Sequence, residues 1–188
     1  MSFVFQSQDY GNQFDPFLAE QINELGPGTP DDAIGARLAR LSVDDLFPRD
    51  SVVDMNAASC CLSAIWILHN FLDESHTVSQ SIDTSSGSYW HGIMHRREQD
   101  YSNAKYWFRR VGDHPIFDAL AESAREIAEA AGTPDAFSTT SWDPYAFIDH
   151  CQAAAGTGSA AENLYRQVAR AEWELLFNYC YRKAVGEN

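Results

Sequence analysis

Side chains that can cap the N-terminus of a helix recur along this sequence, each before a segment with apolar residues at helical spacing. Their oxygen atoms accept hydrogen bonds from the unpaired N–H groups of a first helical turn. Residues 29–32 (TPDD), 51–54 (SVVD) and 143–144 (DP) have this form, and Ser159 begins a capping box, SAAE. We therefore predict helix starts at these places, the second of which leads into a long helix that reaches Asn70.

Two segments in the second half of the chain show the period of a helix with one buried face. In residues 115–131 the inward positions are Ile116, Leu120, Ala124 and Ile127, and Gly132 follows as a C-terminal stop. After Ser159 the inward positions are Leu164, Val168, Ala171, Leu175 and Tyr179. No run of β-branched residues alternates with polar ones as a half-buried strand needs. The sequence predicts an all-α fold, built as a compact helical bundle.

The length and charge of the chain limit its domain count and its partners. A chain of 188 residues can form one self-sufficient domain, so we expect a single all-α domain over 1–188. Within it, 1–50 is a candidate N-terminal appendage, 51–115 holds helical hairpins and 116–188 holds C-terminal helices. The formal net charge of -14 opposes binding to nucleic acids and to anionic membranes.

The N-terminus lacks the pattern of a secretory signal, and no stretch has the roughly 18 apolar residues of a membrane span. These features predict a soluble cytoplasmic protein. The four cysteines include no CxxC pair and no short-spaced Cys/His array, so we expect them to be buried free thiols. The GxSxG elbow, the phosphate-binding glycine loop and the dinucleotide fingerprint are absent from the sequence.

Residues 88–115 (SYWHGIMHRREQDYSNAKYWFRRVGDHP) show the pattern of a helical hairpin. The first helix is predicted to run to about Glu98, a turn occupies 99–100, and the second helix runs to Val111. The hairpin resembles the tetratricopeptide signature at its small, small, aromatic and proline positions, which here hold Gly92, Ala104, Phe108 and Pro115. The same string also resembles the core of a family of uncharacterised bacterial proteins, a resemblance that implies no particular activity.

The tetratricopeptide resemblance extends over roughly residues 56–115, because a shift of 29 positions aligns the segment after His69 with the second helix of the hairpin. It implies antiparallel helical hairpins with a concave groove. The groove would be lined by first-helix residues, namely Tyr89, Ile93, Arg96 and Arg97.

Basic residues are concentrated in the same part of this acidic chain. Five of its 13 lysines and arginines fall within fifteen positions, namely Arg96, Arg97, Lys105, Arg109 and Arg110. Arginine binds carboxylates and phosphates through paired hydrogen bonds. The pattern predicts a binding site for an acidic peptide or a small carboxylate or phosphate ligand, formed by Arg96, Arg97, Lys105, Trp107 and Arg109. The alternative is that these cations form ordinary salt bridges with nearby acidic residues.

Histidines give this segment a second candidate chemistry. His91, His95 and Glu98 follow one another at steps of four and three, so these metal-capable side chains share nearly one helical face. Together they can bind a divalent metal such as zinc or iron, provided that another helix supplies a further ligand. The candidates for that ligand are His69, His76, His114 and Asp100. The alternatives are that both histidines pack between helices in a hydrogen-bonded network without metal, or that one of them acts in acid/base catalysis.

The sequence thus leaves two functions open. The first is a binding or scaffold module with the arginine-rich anion or peptide site. The second is a metal-dependent enzyme, hydrolytic or oxidative, that uses His91, His95 and Glu98. Neither hypothesis identifies a substrate, and the aromatic content of 13% is compatible with a homodimer.

Overall fold

A computed structural model of the chain describes residues 3–18, 20–47 and 51–187. Within these residues all regular structure is helical, which confirms the predicted all-α bundle. The α-helices are α1 (Asp32–Leu38), α2 (Val43–Leu46), α3 (Met55–Leu68), α4 (Leu72–Ser79), α5 (Ser85–Arg97), α6 (Tyr101–Val111), α7 (Phe117–Ala130), α8 (Pro144–Ala154) and α9 (Ala160–Val185). Two short 3-10 turns span Ser7–Tyr10 and Pro134–Phe137.

The capping side chains explain where several helices begin. The carboxylates of Asp31, Asp54 and Asp143 accept hydrogen bonds from N–H groups in the first turns of α1, α3 and α8. Each bond satisfies a donor that the helix itself leaves unpaired. The helix starts predicted at these three residues are therefore confirmed.

The start of α9 differs in one respect from the predicted capping box. Ser159 accepts a hydrogen bond from the N–H of Glu162, as expected. The Glu162 carboxylate, however, accepts from the N–H groups of Gly156 and Gly158 rather than from Ser159. Both glycines have positive φ angles, which turn the loop back toward the helix and bring these N–H groups to the carboxylate.

The N-terminal residues, expected as an appendage, contribute to the same core as the helices. The ring centroids of Tyr10 and Phe14 lie 5.0 and 5.7 Å from that of Phe177 on α9. Phe47 stacks on Tyr181 of the same helix at 5.7 Å. Full burial of one such ring contributes about 1.5–3 kcal/mol, so these contacts attach the N-terminal region firmly to the bundle.

Helices α5 and α6 form the predicted hairpin and approach each other closely at Gly92. A Cβ atom at this position would lie 2.7 Å from the ring of Phe108, so only glycine fits without displacing that side chain. The link between the two helices passes through Gln99, whose φ angle is +66°. The hairpin fixes the positions of the histidines on α5.

The longest helix, α9, runs for 26 residues and packs against α3, α7 and α8. Its buried face includes Cys180, and all four cysteines of the chain are buried free thiols, as predicted. Among the described helices, none combines the length and the apolar character that a bilayer crossing requires.

Candidate metal centre

Three histidine side chains from two helices converge at the interface between α4 and α5. His76 lies on α4, and His91 and His95 lie on α5. One potential ligand atom from each residue falls within 4.8 Å of the other two. His91 and His95 are buried, and His76 is half-buried. His76 was one of four candidates for the additional ligand, and the structure brings it to the predicted pair.

Ser79 connects α4 to this group of histidines. Its Oγ atom lies 2.9 Å from Nδ1 of His91 and 3.4 Å from the carbonyl oxygen of His76. When the hydroxyl donates to that carbonyl, it accepts the Nδ1–H of His91. In this arrangement Nε2 of His91 keeps the lone pair that a metal ion needs.

Glu98, predicted as a third ligand, has a different position. Its carboxylate lies 3.0 Å from Nδ1 of His95 and is outside the group of converging ligand atoms. Because a carboxylate only accepts, Nδ1 of His95 carries the proton and Nε2 carries the lone pair. Glu98 therefore orients the imidazole of His95, and the third side chain of the converging group is His76 on α4.

Burial keeps the histidines of α5 neutral. Burial, followed by the charges of the neighbouring His95 and His76, lowers the pKa of His91 to about 3. The pKa of His95 is also lowered by burial, in spite of the opposing effect of the Glu98 carboxylate. Neutral imidazoles are the form that binds transition metals, so no proton has to leave these residues before binding.

Two residues of α6 cover the histidines. The Trp107 ring lies 4.0 Å from the ring of His91, centroid to centroid, and Nδ2 of Asn103 lies 3.0 Å from Nε2 of His95. Both are half-buried. The Asn103 amide donates to the nitrogen that a metal would use, so it has to swing aside on binding.

An open cleft of about 660 Å³ adjoins the group through Glu98. Its lining includes the apolar residues Pro27, Phe71 and Leu72 and the acidic residues Asp73, Glu74, Glu98 and Asp100. Glu98 thus faces both the cleft and His95. The negative charge of this cleft favours the approach of cations to the histidines.

The five residues predicted to bind anions do not share one groove, since only Arg96 and Arg97 line the same small cavity, of about 30 Å³. Arg96 is only 2% exposed and pairs with the fully buried Glu172 of α9. The NH1 atom of Arg96 lies 3.3 Å from Oε1 of Glu172, and the Tyr89 hydroxyl donates to the same oxygen at 3.0 Å. The expected exposure of Tyr89 and Arg96 is therefore wrong, because these residues satisfy each other inside the bundle.

Arg97 is also buried, and its partners belong to an extended N-terminal segment. Its guanidinium donates to the carbonyl oxygens of Gly26 and Pro27 at 2.7 and 3.1 Å and to Oδ1 of Asn70 at 2.6 Å. Burial, followed by the charge of Arg96, lowers the pKa of Arg97 to about 10, which leaves it protonated at neutral pH.

Arginines on α9 hold the same segment. Arg166 donates to the carbonyl oxygens of Ile22 and Asn23 at 3.0 and 2.9 Å, and Arg170 donates to that of Gln21 at 3.3 Å. Residues 21–27 of the chain thus occupy the place where the tetratricopeptide resemblance put an acidic peptide.

The other predicted anion-binding residues lie nearer the surface on α6. Lys105 pairs with Asp149, and the exposed Arg109 lies 5.6 Å from the ring of Tyr106. Trp107 contacts His91 as described above. A ligand-binding role for Lys105, Trp107 and Arg109 stays a prediction.

The sequence reasoning did not single out Ser79, Asn103 or Glu172. A usable signal existed for Ser79, since it follows His76 by three positions and shares its helical face. Asn103 contacts His95 from α6, and Glu172 contacts Arg96 from α9. Because both act from another helix, their local sequence contains no such signal.

Comparison of the chain with protein-family models, curated proteins and solved structures found no match. The resemblances to tetratricopeptide repeats and to a bacterial family stay predictions. The function proposed below therefore rests on the geometry of the site.

Proposed function

We propose that this protein binds a divalent transition-metal ion, with zinc as the best fit, through His76, His91 and His95. The convergence of three imidazoles from two helices carries the proposal. Imidazole nitrogen suits zinc, copper, nickel and iron, whereas magnesium and calcium prefer oxygen ligands. The competing interpretation, a metal-free packing network, predicts that the isolated protein binds none of these ions.

The separation of the ligand atoms fits a site that closes around the ion. Zinc–nitrogen bonds of about 2.0–2.1 Å in a tetrahedral site place two ligand nitrogens roughly 3.3 Å apart. The ligand atoms of the three histidines lie within 4.8 Å of one another, so the rings have to move closer together when the ion binds. His76 can supply much of this movement, because it is half-buried while the other two are fixed inside the bundle.

Hydrogen bonds behind the histidines support the proposal. Glu98 accepts from His95, and Ser79 bonds to His91. Metal-binding histidines commonly use the second ring nitrogen in this way, which fixes the ring and its tautomer. The Glu98 carboxylate also offsets part of the positive charge that a divalent ion brings into a site with neutral ligands.

Three protein ligands leave one position of a tetrahedral zinc ion open to water or substrate, the arrangement that catalytic zinc sites use. We therefore favour hydrolysis as the reaction class. The half-buried His76, Asn103 and Trp107 place the site near the surface, where a small substrate has access.

The decisive experiment measures zinc binding by the metal-free protein and by matched histidine variants. We expect near-stoichiometric zinc by mass spectrometry and calorimetry. His76→Ala and His91→Ala should each weaken binding by at least about 100-fold, because each removes a direct ligand. His150→Ala is the control, since His150 lies outside the group and stacks on Tyr165. Circular dichroism should report unchanged helicity in all variants.

Equal zinc affinity of the wild type and His76→Ala would overturn the metal centre. Hydrolysis is tested separately, with an activated ester and the zinc-loaded protein. The zinc-loaded wild type and zinc-loaded His150→Ala should hydrolyse the ester at the same rate. His91→Ala should lose the activity. Stoichiometric zinc without ester hydrolysis would assign the site a structural role and reject the hydrolytic one.

A further inference from the structure

A second cavity, of about 170 Å³, lies between α7, the turn at Pro134–Phe137 and the start of α8. Its aromatic lining consists of Phe137, Trp142, Phe147 and His150, and Ala121 and Ala146 contribute small side chains. The cavity is separate from the metal site, because none of the three histidines of that site lines it. It is comparable in size to apolar cavities of about 150 Å³ that hold a benzene molecule.

The aromatic rings form a wall around Trp142. The ring of Phe137 is nearly parallel to that of Trp142, with an interplanar angle of 12° and a centroid distance of 6.0 Å. Phe147 lies on another side of Trp142, at 5.0 Å and 53°. Such faces and edges accept a further flat ring in stacked or edge-to-face contact.

Trp142 also carries an unsatisfied polar group. The residue is 9% exposed, and its Nε1–H is buried without a hydrogen-bond partner among the described residues. A buried donor that lacks an acceptor costs about 1–3 kcal/mol, so an acceptor supplied by a ligand at this position gains binding energy.

We infer that this cavity binds a neutral, single-ring aromatic compound that carries a hydrogen-bond acceptor for Trp142. The inference is independent of the metal site. Because Nε1 is shielded in this structure, the cavity wall has to shift slightly on binding. Ser138, Thr139 and Ser141 can allow this shift, since these residues of the wall are exposed.

The charges around the cavity favour a neutral ligand. Asp143 uses its carboxylate to accept the N–H groups of Tyr145 and Ala146, and Arg125 donates to the carbonyl oxygen of Thr139. These hydrogen bonds do not remove either charge, but the lining contains no lysine or arginine, and the net charge of -14 opposes an anion. A neutral carbonyl compound supplies the acceptor that the indole N–H lacks and brings no charge that has to be desolvated between aromatic rings.

The test uses two probes of nearly equal shape, acetophenone and α-methylstyrene, in which a carbonyl group replaces a C=CH2 group. The ¹⁵N-labelled protein has only five tryptophans, so the indole cross-peak of Trp142 is assigned by its loss in Trp142→Phe. We expect acetophenone to shift this cross-peak downfield and to bind about fivefold more tightly than α-methylstyrene, as one additional hydrogen bond allows.

Two variants separate the donor from the cavity. Trp142→Phe keeps an aromatic ring and should remove the preference for acetophenone, with binding followed by methyl and backbone cross-peaks. Ala146→Leu fills the cavity from a half-buried helical position and should abolish binding of both probes. The inference would be overturned by a Trp142 cross-peak that does not move at the solubility limit of acetophenone. It would also be overturned if Trp142→Phe kept the wild-type preference for acetophenone over α-methylstyrene.

Discussion

Arg96 and Glu172 form an ion pair inside the bundle, although 76 positions separate them in the chain. The Glu172 side chain is fully buried, and the Arg96 guanidinium also lies 4.8 Å from the Phe147 ring. Breaking a buried pair by removing one partner leaves an uncompensated charge.

The first prediction concerns this pair. Arg96→Met should lower the free energy of unfolding by about 3–5 kcal/mol, measured by urea denaturation. The double variant Arg96→Met/Glu172→Leu should recover most of this loss, since both charges are then absent. Arg110→Met is the control, because the exposed pair of Arg110 with Asp83 should contribute less than about 1 kcal/mol. A mild effect of Arg96→Met alone would contradict the buried pair.

The second prediction concerns the extended N-terminal segment. Arg97→Met removes the donors to Gly26 and Pro27 and should let residues 20–27 detach more often. Charge-assisted hydrogen bonds contribute about 1.5–3 kcal/mol each, so cleavage by a glutamate-specific protease at Glu20 and Glu24 should accelerate at least about tenfold.

The control for this prediction is Arg125→Met, which removes an arginine that donates to Thr139 in another part of the molecule. Its cleavage rate at Glu20 and Glu24 should equal that of the wild type. Equal rates in Arg97→Met and Arg125→Met would show that Arg97 does not hold the segment.

The third prediction rests on the proposed metal centre. Glu98→Gln removes the charged acceptor of His95 while it keeps the size of the side chain, so zinc affinity should fall about 10–100-fold. Glu74→Gln removes an equal charge from the adjoining cleft and serves as the control. If both variants lose the same affinity, long-range charge rather than the hydrogen bond to His95 is responsible.

The fourth prediction concerns acid stability and the buried His114. Its Nδ1 accepts the N–H of Ile116, and its Nε2 lies 3.1 Å from the Ser86 hydroxyl. Burial, followed by the charge of Lys183, lowers the pKa of His114 to about 4. The unfolded chain has an ordinary histidine pKa of about 6.5 and therefore takes up a proton first as the pH falls.

The stabilising effect is thus complete above about pH 6.5 and is lost progressively toward pH 4. At about pH 5 the loss from His114 should reach roughly 2 kcal/mol. His114→Gln cannot titrate, so its unfolding free energy should fall by roughly that much less between about pH 7.5 and pH 5. An identical fall in both proteins, measured in urea, would contradict the prediction.

The local features of the fold could be predicted because the residues that decide them are neighbours in the chain. Asp54 and Asp143 cap helices through hydrogen bonds to residues two or three positions away. Leu120 and Ala124 are four positions apart, about one helical turn, and therefore lie on the same face. For the same reason, the α5 histidines and Glu98 were found together. The sequence did not show whether Glu98 is a metal ligand or a hydrogen-bond acceptor for His95, because both roles are compatible with that spacing.

The sequence by itself determined the all-α class, the starts of α1, α3, α8 and α9, and the pair His91 and His95. Only the tertiary structure decided that His76 completes the group and that Arg96 and Arg97 are buried. The physical reason is that arginines and an extended polar segment resemble surface residues in sequence. Their burial depends on Glu172 and on the carbonyl oxygens of Gly26 and Pro27, partners that the packing of distant helices brings within hydrogen-bond distance.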